Sequence, residues 1–303
     1  MKALASFILR GPSQAVLVTV AMAVLAMVMP PLSLLSGAAV ALTTLRQGAR
    51  PGAVVLAGST MFIGALAWVS LGNVLPGLVF LGAFWLPVWL QAWVLRESRS
   101  LAMATLVAGG LGMVGVLVTY LLLGDVTDWW HQLLLTLFEP AIEAGGPLAD
   151  RATVTAMLAN IARVMTGVAA AGMALNAIMC LYLARGWQAQ LFNPDGFRSE
   201  FYELRLGRWP ALVSLAFIAA TLLPLGTVSH MAGEMLIVLL SLYMLQGLAL
   251  IHAIVAKRKL HMAWLVVLYL VMLFVLPQLM AVVAVMGLVD SWLDFRRRIP
   301  AAD

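Results

Sequence analysis

The sequence predicts an all-α fold: a polytopic transmembrane helical bundle of eight to ten membrane segments, with proline-broken first and last regions. Three observations carry this. Hydrophobic residues make up 63% of the 303 positions and charged residues only 10%, against ~45–50% and ~25% in an average soluble domain. The apolar residues gather into runs close to the ~20 residues that a helix needs to cross a bilayer. Lys and Arg fall between those runs, where membrane proteins keep the charges that orient them. A mean hydropathy of +1.02 excludes a water-soluble globule, which could not hide that much apolar surface, and a disordered chain, which is poor in hydrophobics.

The runs follow in order. Gln14–Met29 ends at Pro30-Pro31 and Leu32–Leu45 continues it. Ala53–Leu71, Leu75–Leu95, Leu101–Leu123, Val164–Leu183, Pro210–Leu225 and Met231–Val255 each fit one crossing. Ala263–Leu288 comes last and is interrupted at Pro277. Charge arbitrates the two broken regions. If each is a short hairpin, 16 of the 18 Lys and Arg lie on the cytoplasmic side with both termini. If each is a single bent crossing, Lys2, Arg10 and Arg296–Arg298 are forced outside. The orientation rule favours hairpins and ten passes; eight plain crossings is the alternative. Non-helical backbone at such a break is tolerated where it is buried in protein or lines a cavity, and broken helices point to transporter binding sites. Simple kinks packed against neighbouring helices are the other reading.

One membrane domain, 1–303, therefore carries two polar excursions. The outer loop, 124–163, opens Gly124-Asp125-Val126-Thr127-Asp128, with Thr127 expected as an N-cap. Trp129, Trp130, Leu133, Leu134, Leu137 and Phe138 follow before Pro140, the pattern of an interfacial helix. The cytoplasmic loop, 185–209, holds the turn Asn193-Pro194-Asp195-Gly196. Ser199 is then expected to cap a short helix closed by Gly207. Phe197, Phe201 and Leu204 form one apolar stripe on it. Either the protein's own helix ends and C-terminal segment cover that stripe, or a partner protein or the lipid surface does.

The net charge of +5 belongs to membrane orientation rather than to nucleic acid, so lipid is the expected partner, with a membrane or cytoplasmic protein as a further one. A lone cysteine, Cys180, excludes an intrachain disulfide and a cysteine-based zinc site. There is no glycine-rich phosphate loop, no HExxH and no GxSxG, which argues against an enzyme, a resident cofactor or metal, and ATP use. The strongest polar candidates are Glu234, Ser241 and His252. Their spacings of 7 and 11 residues return them within about 20° of one another on a helix, and an ionisable group inside a membrane helix is a functional candidate by default. They are expected to line a ligand-binding cavity, or else to reach the two interfaces and be solvated there. Gln246, Asn176 and Gln278 are candidates for interhelical hydrogen bonds. Ser33, Gly37 and Ala41 form a stripe of small residues suited to close packing or to docking a partner helix, and Ala108–Gly112 and Gly167–Ala171 add two more. Asp290 and Asp294 are expected on one face of a helix leaving the membrane, with Arg297 able to pair with Asp294. That segment either anchors the chain or makes a cytoplasmic protein contact with Phe197 and Phe201.

Three stretches carry a resemblance: Thr44-Leu45-Arg46-Gln47-Gly48; Asn193-Pro194-Asp195-Gly196-Phe197-Arg198 with Glu200-Phe201; and Gly287-Leu288-Val289-Asp290-Ser291-Trp292-Leu293-Asp294-Phe295-Arg296-Arg297. Together they resemble the YybS-like family of bacterial membrane proteins, over essentially the whole chain. That family is distantly similar to the substrate-binding components of energy-coupling-factor transporters, helical bundles of about six crossings that bind a vitamin near the outer face. The resemblance implies a small-molecule-binding transport component of the bacterial inner membrane. A non-transporting scaffold or assembly factor, acting through the cytoplasmic loop and C-terminal tail, is the second expectation.

Overall fold

A computed structural model describes residues 1–143, 150–274 and 277–298. These are all-helical, with no strand among the described residues. The helices are α1 Lys2–Ile8, α2 Pro12–Leu25, α3 Ser33–Gln47, α4 Ala49–Leu71, α5 Leu75–Ser98, α6 Leu101–Leu123, α7 Val126–Glu143, α8 Arg151–Ala162, α9 Met165–Phe192, α10 Gly196–Tyr202, α11 Arg208–Thr221, α12 Thr227–Lys257, α13 Ala263–Phe274, α14 Pro277–Leu293 and α15 Phe295–Arg298. Five of them, α4, α5, α6, α9 and α12, are long and apolar enough to cross a membrane.

Both proline-broken regions turn back on themselves. Pro30–Leu32 makes a tight 3-10 turn between α2 and α3. Ser36 Oγ then donates to Thr19 O across the pair at 2.7 Å, and Gln47 Nε2 reaches Leu9 O at 3.2 Å. The end of α3 thus lies beside the start of α2. At the other terminus, α14 runs parallel to α12: Gly247 and Gly287 face each other, and further along Lys257 Nζ donates to Arg296 O at 2.9 Å. With α12 and α14 parallel, α13 must return between them. The expected break at Pro277 borders residues 275–276, outside the described residues. The helices of these pairs have 12 to 17 residues, about 18–26 Å at 1.5 Å per residue. They are shorter than the ~30 Å hydrocarbon core.

Helix α3 is the buried centre of the N-terminal half. Every residue from Ser36 to Leu45 is buried, against α2, α4, α5 and α9. Small residues make this possible, and hydroxyls bonded within the protein make it affordable in a dry interior. Thr43 and Thr44 return their hydroxyls to Ala39 O and Val40 O, and Ser36 Oγ accepts from Trp85 Nε1 at 3.0 Å. Gly48, at φ +112°, sets the sharp turn into α4. Helix α5 widens into a π turn at Phe80–Trp85. The cause lies one step on: Pro87 has no N–H to give to the carbonyl of Ala83, so the helical ladder cannot close there with its normal spacing.

The two ends of the bundle differ in charge. All 18 Lys and Arg except Arg151 and Arg163 lie toward the end shared by the N-terminus, the α9–α11 connection and the α14–α15 segment, Arg185 about two turns inside α9 and the rest on loops, short helices or helix ends. The opposite end carries α7 and α8. Those two pack into a cluster of their own, with Leu134, Ile142, Val154, Leu158 and Ala162 buried. Helix α7 begins earlier than predicted, because Asp125 Oδ1 accepts from Asp128 N at 3.0 Å. Asp125, not Thr127, satisfies the free amide there. Pro140 lies within the helix. Residues 144–149 of the predicted outer loop fall outside the described residues. Helix α10 likewise starts at Gly196 rather than after Ser199, whose hydroxyl donates back to Gly196 O. Gly207 opens α11 instead of closing α10.

Candidate functional site

The predicted face on α12 does not form one site. Glu234 and His252 stand 18 positions apart, about 27 Å along the helix axis. A shared angular face is not a shared depth. Ser241 Oγ donates to Val238 O of its own helix at 2.7 Å. At the basic end, His252 Nδ1 lies 2.9 Å from Leu248 O and Nε2 lies 3.4 Å from the Tyr269 hydroxyl. Its ring packs among Phe201, Tyr202 and Tyr269.

Glu234 is 2% exposed. Its carboxyl faces the Tyr120 hydroxyl and the first amides of α9, at Thr166 and Gly167. Oε2 has no hydrogen-bond partner. The free amides and the positive end of the helix dipole thus stand beside a carboxyl that the fold has taken out of solvent. The approach is close because position 167 has no side chain: a Cβ there would meet Glu234 Cα at 2.8 Å.

Tyr120 also lines a cleft of about 660 Å³ at the end opposite the basic one, together with Asp125, Thr127, Arg163, Thr227 and His230. The end of α6, the turn into α7, the α8–α9 junction and the start of α12 converge here. Two polar layers result: an accessible rim carrying both signs of charge, and a buried carboxyl beneath it, linked through Tyr120. Sequence reasoning missed Tyr120, Thr227 and His230. The available signal was Arg163, one of two cations isolated from the basic loops. A second crevice, about 690 Å³, opens between α5, α6 and α9 beside the π turn. Its lining is mostly Gly, Ala, Leu and Val, suited to acyl chains rather than to a polar ligand. Among the described residues no three His, Cys, Asp or Glu side chains gather as a metal site.

The small-residue stripe is occupied from within. A Cβ on Gly37 would meet Cys180 of α9, Ala41 is fully buried, and Ser33 O lies 4.0 Å from Cys180 Sγ.

The loop and tail form a knot at the basic end. Leu204 is buried, and the half-buried Phe197 and Phe201 pack on Tyr182 of α9. Gln246, fully buried, is the hub. Its Oε1 accepts from Leu206 N at 2.8 Å and its Nε2 donates to Gly287 O at 2.8 Å. Asn176 lines a narrow crevice with Cys180, and Gln278 is exposed. The helix expected to continue through Asp294 breaks there: Asp294 adopts φ +48°. Asp290 turns inward, accepts from Phe295 N at 3.0 Å and faces Arg296 at 3.8 Å. Asp294 pairs with Arg205 at 2.7 Å and Arg297 at 3.0 Å. The bond from Arg205, with the two guanidinium charges, holds its carboxyl below the usual carboxylate range. Arg296 Nη2 donates to Leu204 O at 2.9 Å.

The five long apolar helices make the fold compatible with an integral membrane protein. Comparison with family models, curated proteins and solved structures finds no significant match.

Proposed function

We propose that this chain is a protein of the bacterial inner membrane with ten passes, its basic end and both termini in the cytoplasm. It binds a small polar molecule in the outward cleft and serves as a transport-type component. The observation that carries this reading is the cleft around Tyr120, Arg163 and His230 standing over the buried Glu234. Its volume falls in the ~300–1,000 Å³ range of ligand pockets. The charge asymmetry supports the orientation, and the YybS-like resemblance agrees with a vitamin-sized ligand at the outer face. The scaffold reading is less favoured. Phe197, Phe201, Asp290 and Asp294, which it would use for a partner, are engaged by the chain's own helices and loops, and only Arg297 stays largely exposed.

The test is purification in mild detergent followed by mass spectrometry of released small molecules, for the wild type and for Arg163→Gln, Tyr120→Phe and Glu234→Gln. A compound retained by the wild type and lost by Arg163→Gln, with the melting temperature unchanged, supports the reading. Equal retention by all four proteins, or no compound in any, overturns it.

A further inference from the structure

A second polar cleft lies at the basic end and is independent of the outward one. It is small, about 260 Å³, with walls made by Arg96, Arg99, Arg185, Gln188 and Glu200 over a floor of Leu45 and Leu95. Three guanidiniums meet one carboxylate, so a positive excess is left in a recess with an apolar floor.

Two of the three arginines are held by bonds within the chain. Arg96, on the last turn of α5, donates from Nη1 to Leu45 O at 2.6 Å. It thereby satisfies a carbonyl that the end of α3 leaves free. Arg185 is ion-paired to Glu200 and bonded to Gln188 Oε1 at 3.2 Å, which leaves its side chain 14% exposed. Arg99 closes α5 in the left-handed conformation, φ +54°. A residue with a long side chain rarely occupies that region, and here it ends the helix beside the recess. Arg185 spends its donors on Glu200 and Gln188, so Arg96, fixed, and Arg99, exposed, both from the end of α5, supply the uncompensated charge of a defined anion recess rather than a diffuse basic surface.

We infer that this cleft binds a phosphate group, from a phospholipid headgroup or from free phosphate. Guanidinium forks match phosphate oxygens in pairs of parallel hydrogen bonds. The volume suits a headgroup and is below that of ordinary ligand pockets. Its place, at the ends of long apolar helices, is headgroup level in any bilayer these helices cross, and basic pockets between transmembrane helices bind anionic lipid heads.

The experiment is native mass spectrometry of the detergent-purified full chain titrated with phosphatidylglycerol, cardiolipin or phosphatidylcholine, with melting temperature measured separately against inorganic phosphate. Arg99→Gln is the test variant. Arg258→Gln, which removes the same charge from the same end but outside the cleft, is the control. A phospholipid source is supported if anionic lipid binds in preference to phosphatidylcholine and Arg99→Gln weakens it about fivefold, the ratio for ~1 kcal/mol per arginine near a lipid surface, while Arg258→Gln does so by less than twofold. A free-phosphate source is supported if inorganic phosphate raises the melting temperature of the wild type but not of Arg99→Gln. Equal weakening by the two variants, or no preference for any phosphate-bearing anion, overturns the inference.

Discussion

Replacing Gln246 with leucine keeps the volume and removes the hub of the cytoplasmic knot. Leu206, itself 4% exposed, then keeps a buried N–H with nothing to receive it. An orphaned buried donor costs roughly 1–3 kcal/mol. The Gly287 carbonyl loses only a second donor and adds little. The expected result is a local rather than global loss. Amide exchange at Leu206 and its neighbours in the α10–α11 connection should accelerate by roughly 5- to 150-fold, the ratio that corresponds to that energy. Exchange in α6 should be unchanged. Hydrogen exchange read by mass spectrometry on the detergent-purified protein resolves the two regions. Wild-type protection of Leu206 in Gln246→Leu would refute the role given to Gln246. Gln246→Glu should be worse than leucine, because it places a second carboxylate beside Asp290.

Three further outcomes follow from the same geometry. Gly287→Leu should destabilise by at least the ~1–3 kcal/mol typical of overpacking, because a Cβ at 287 already stands 2.7 Å from Gly247 N; a normal melting temperature would contradict the close α12–α14 crossing. Phe201→Ala should cost about 2 kcal/mol, below the ~3–5 kcal/mol of a fully buried phenylalanine because this ring is half-buried, and an unchanged melting temperature would leave the stripe free for a partner. Asp294 is held below its ordinary value by Arg205, so its contribution is present above the unfolded value near ~3.9 and is lost as pH falls through the lower folded value; the wild type should lose more melting temperature than Asp294→Asn between pH 5 and pH 3, and parallel curves would count against the pair.

Much of the fold was legible because hydropathy reports lipid and charge reports the ends. The run Leu101–Leu123 is α6 residue for residue, and Pro30-Pro31 marked a true turn. What hydropathy could not show was the role of α3. Its serines, threonines, glycine and alanines are less apolar than the other spans, yet small size is what lets it be buried among α2, α4, α5 and α9. Gln246 was recognisable as an interhelical donor, but its acceptor at Gly287 and its donor at Leu206 lie 40 or more positions away. The candidate site was the least legible part. Angular periodicity grouped Glu234 with His252 and ignored the distance along the axis. The actual neighbours of Glu234 come from α6 and α9, and only packing joins them. Local capping was misread by a residue or more at Asp125 and Gly196 because several Asx, Ser and Thr side chains compete for the same free amides.

The proposed function requires a bundle that crosses a membrane with its basic end inside and its cleft outside. Single cysteines replacing Ala49, Asp195 and Asp128, each in a Cys180→Ala background, can be offered a membrane-impermeant thiol reagent in intact cells. With that topology position 128 alone is labelled, and positions 49 and 195 react after the cells are opened. Labelling at 49 in intact cells would make the first region a single bent crossing, and labelling at both 49 and 195 with none at 128 would invert the protein and place the Tyr120–Arg163 cleft on the inside.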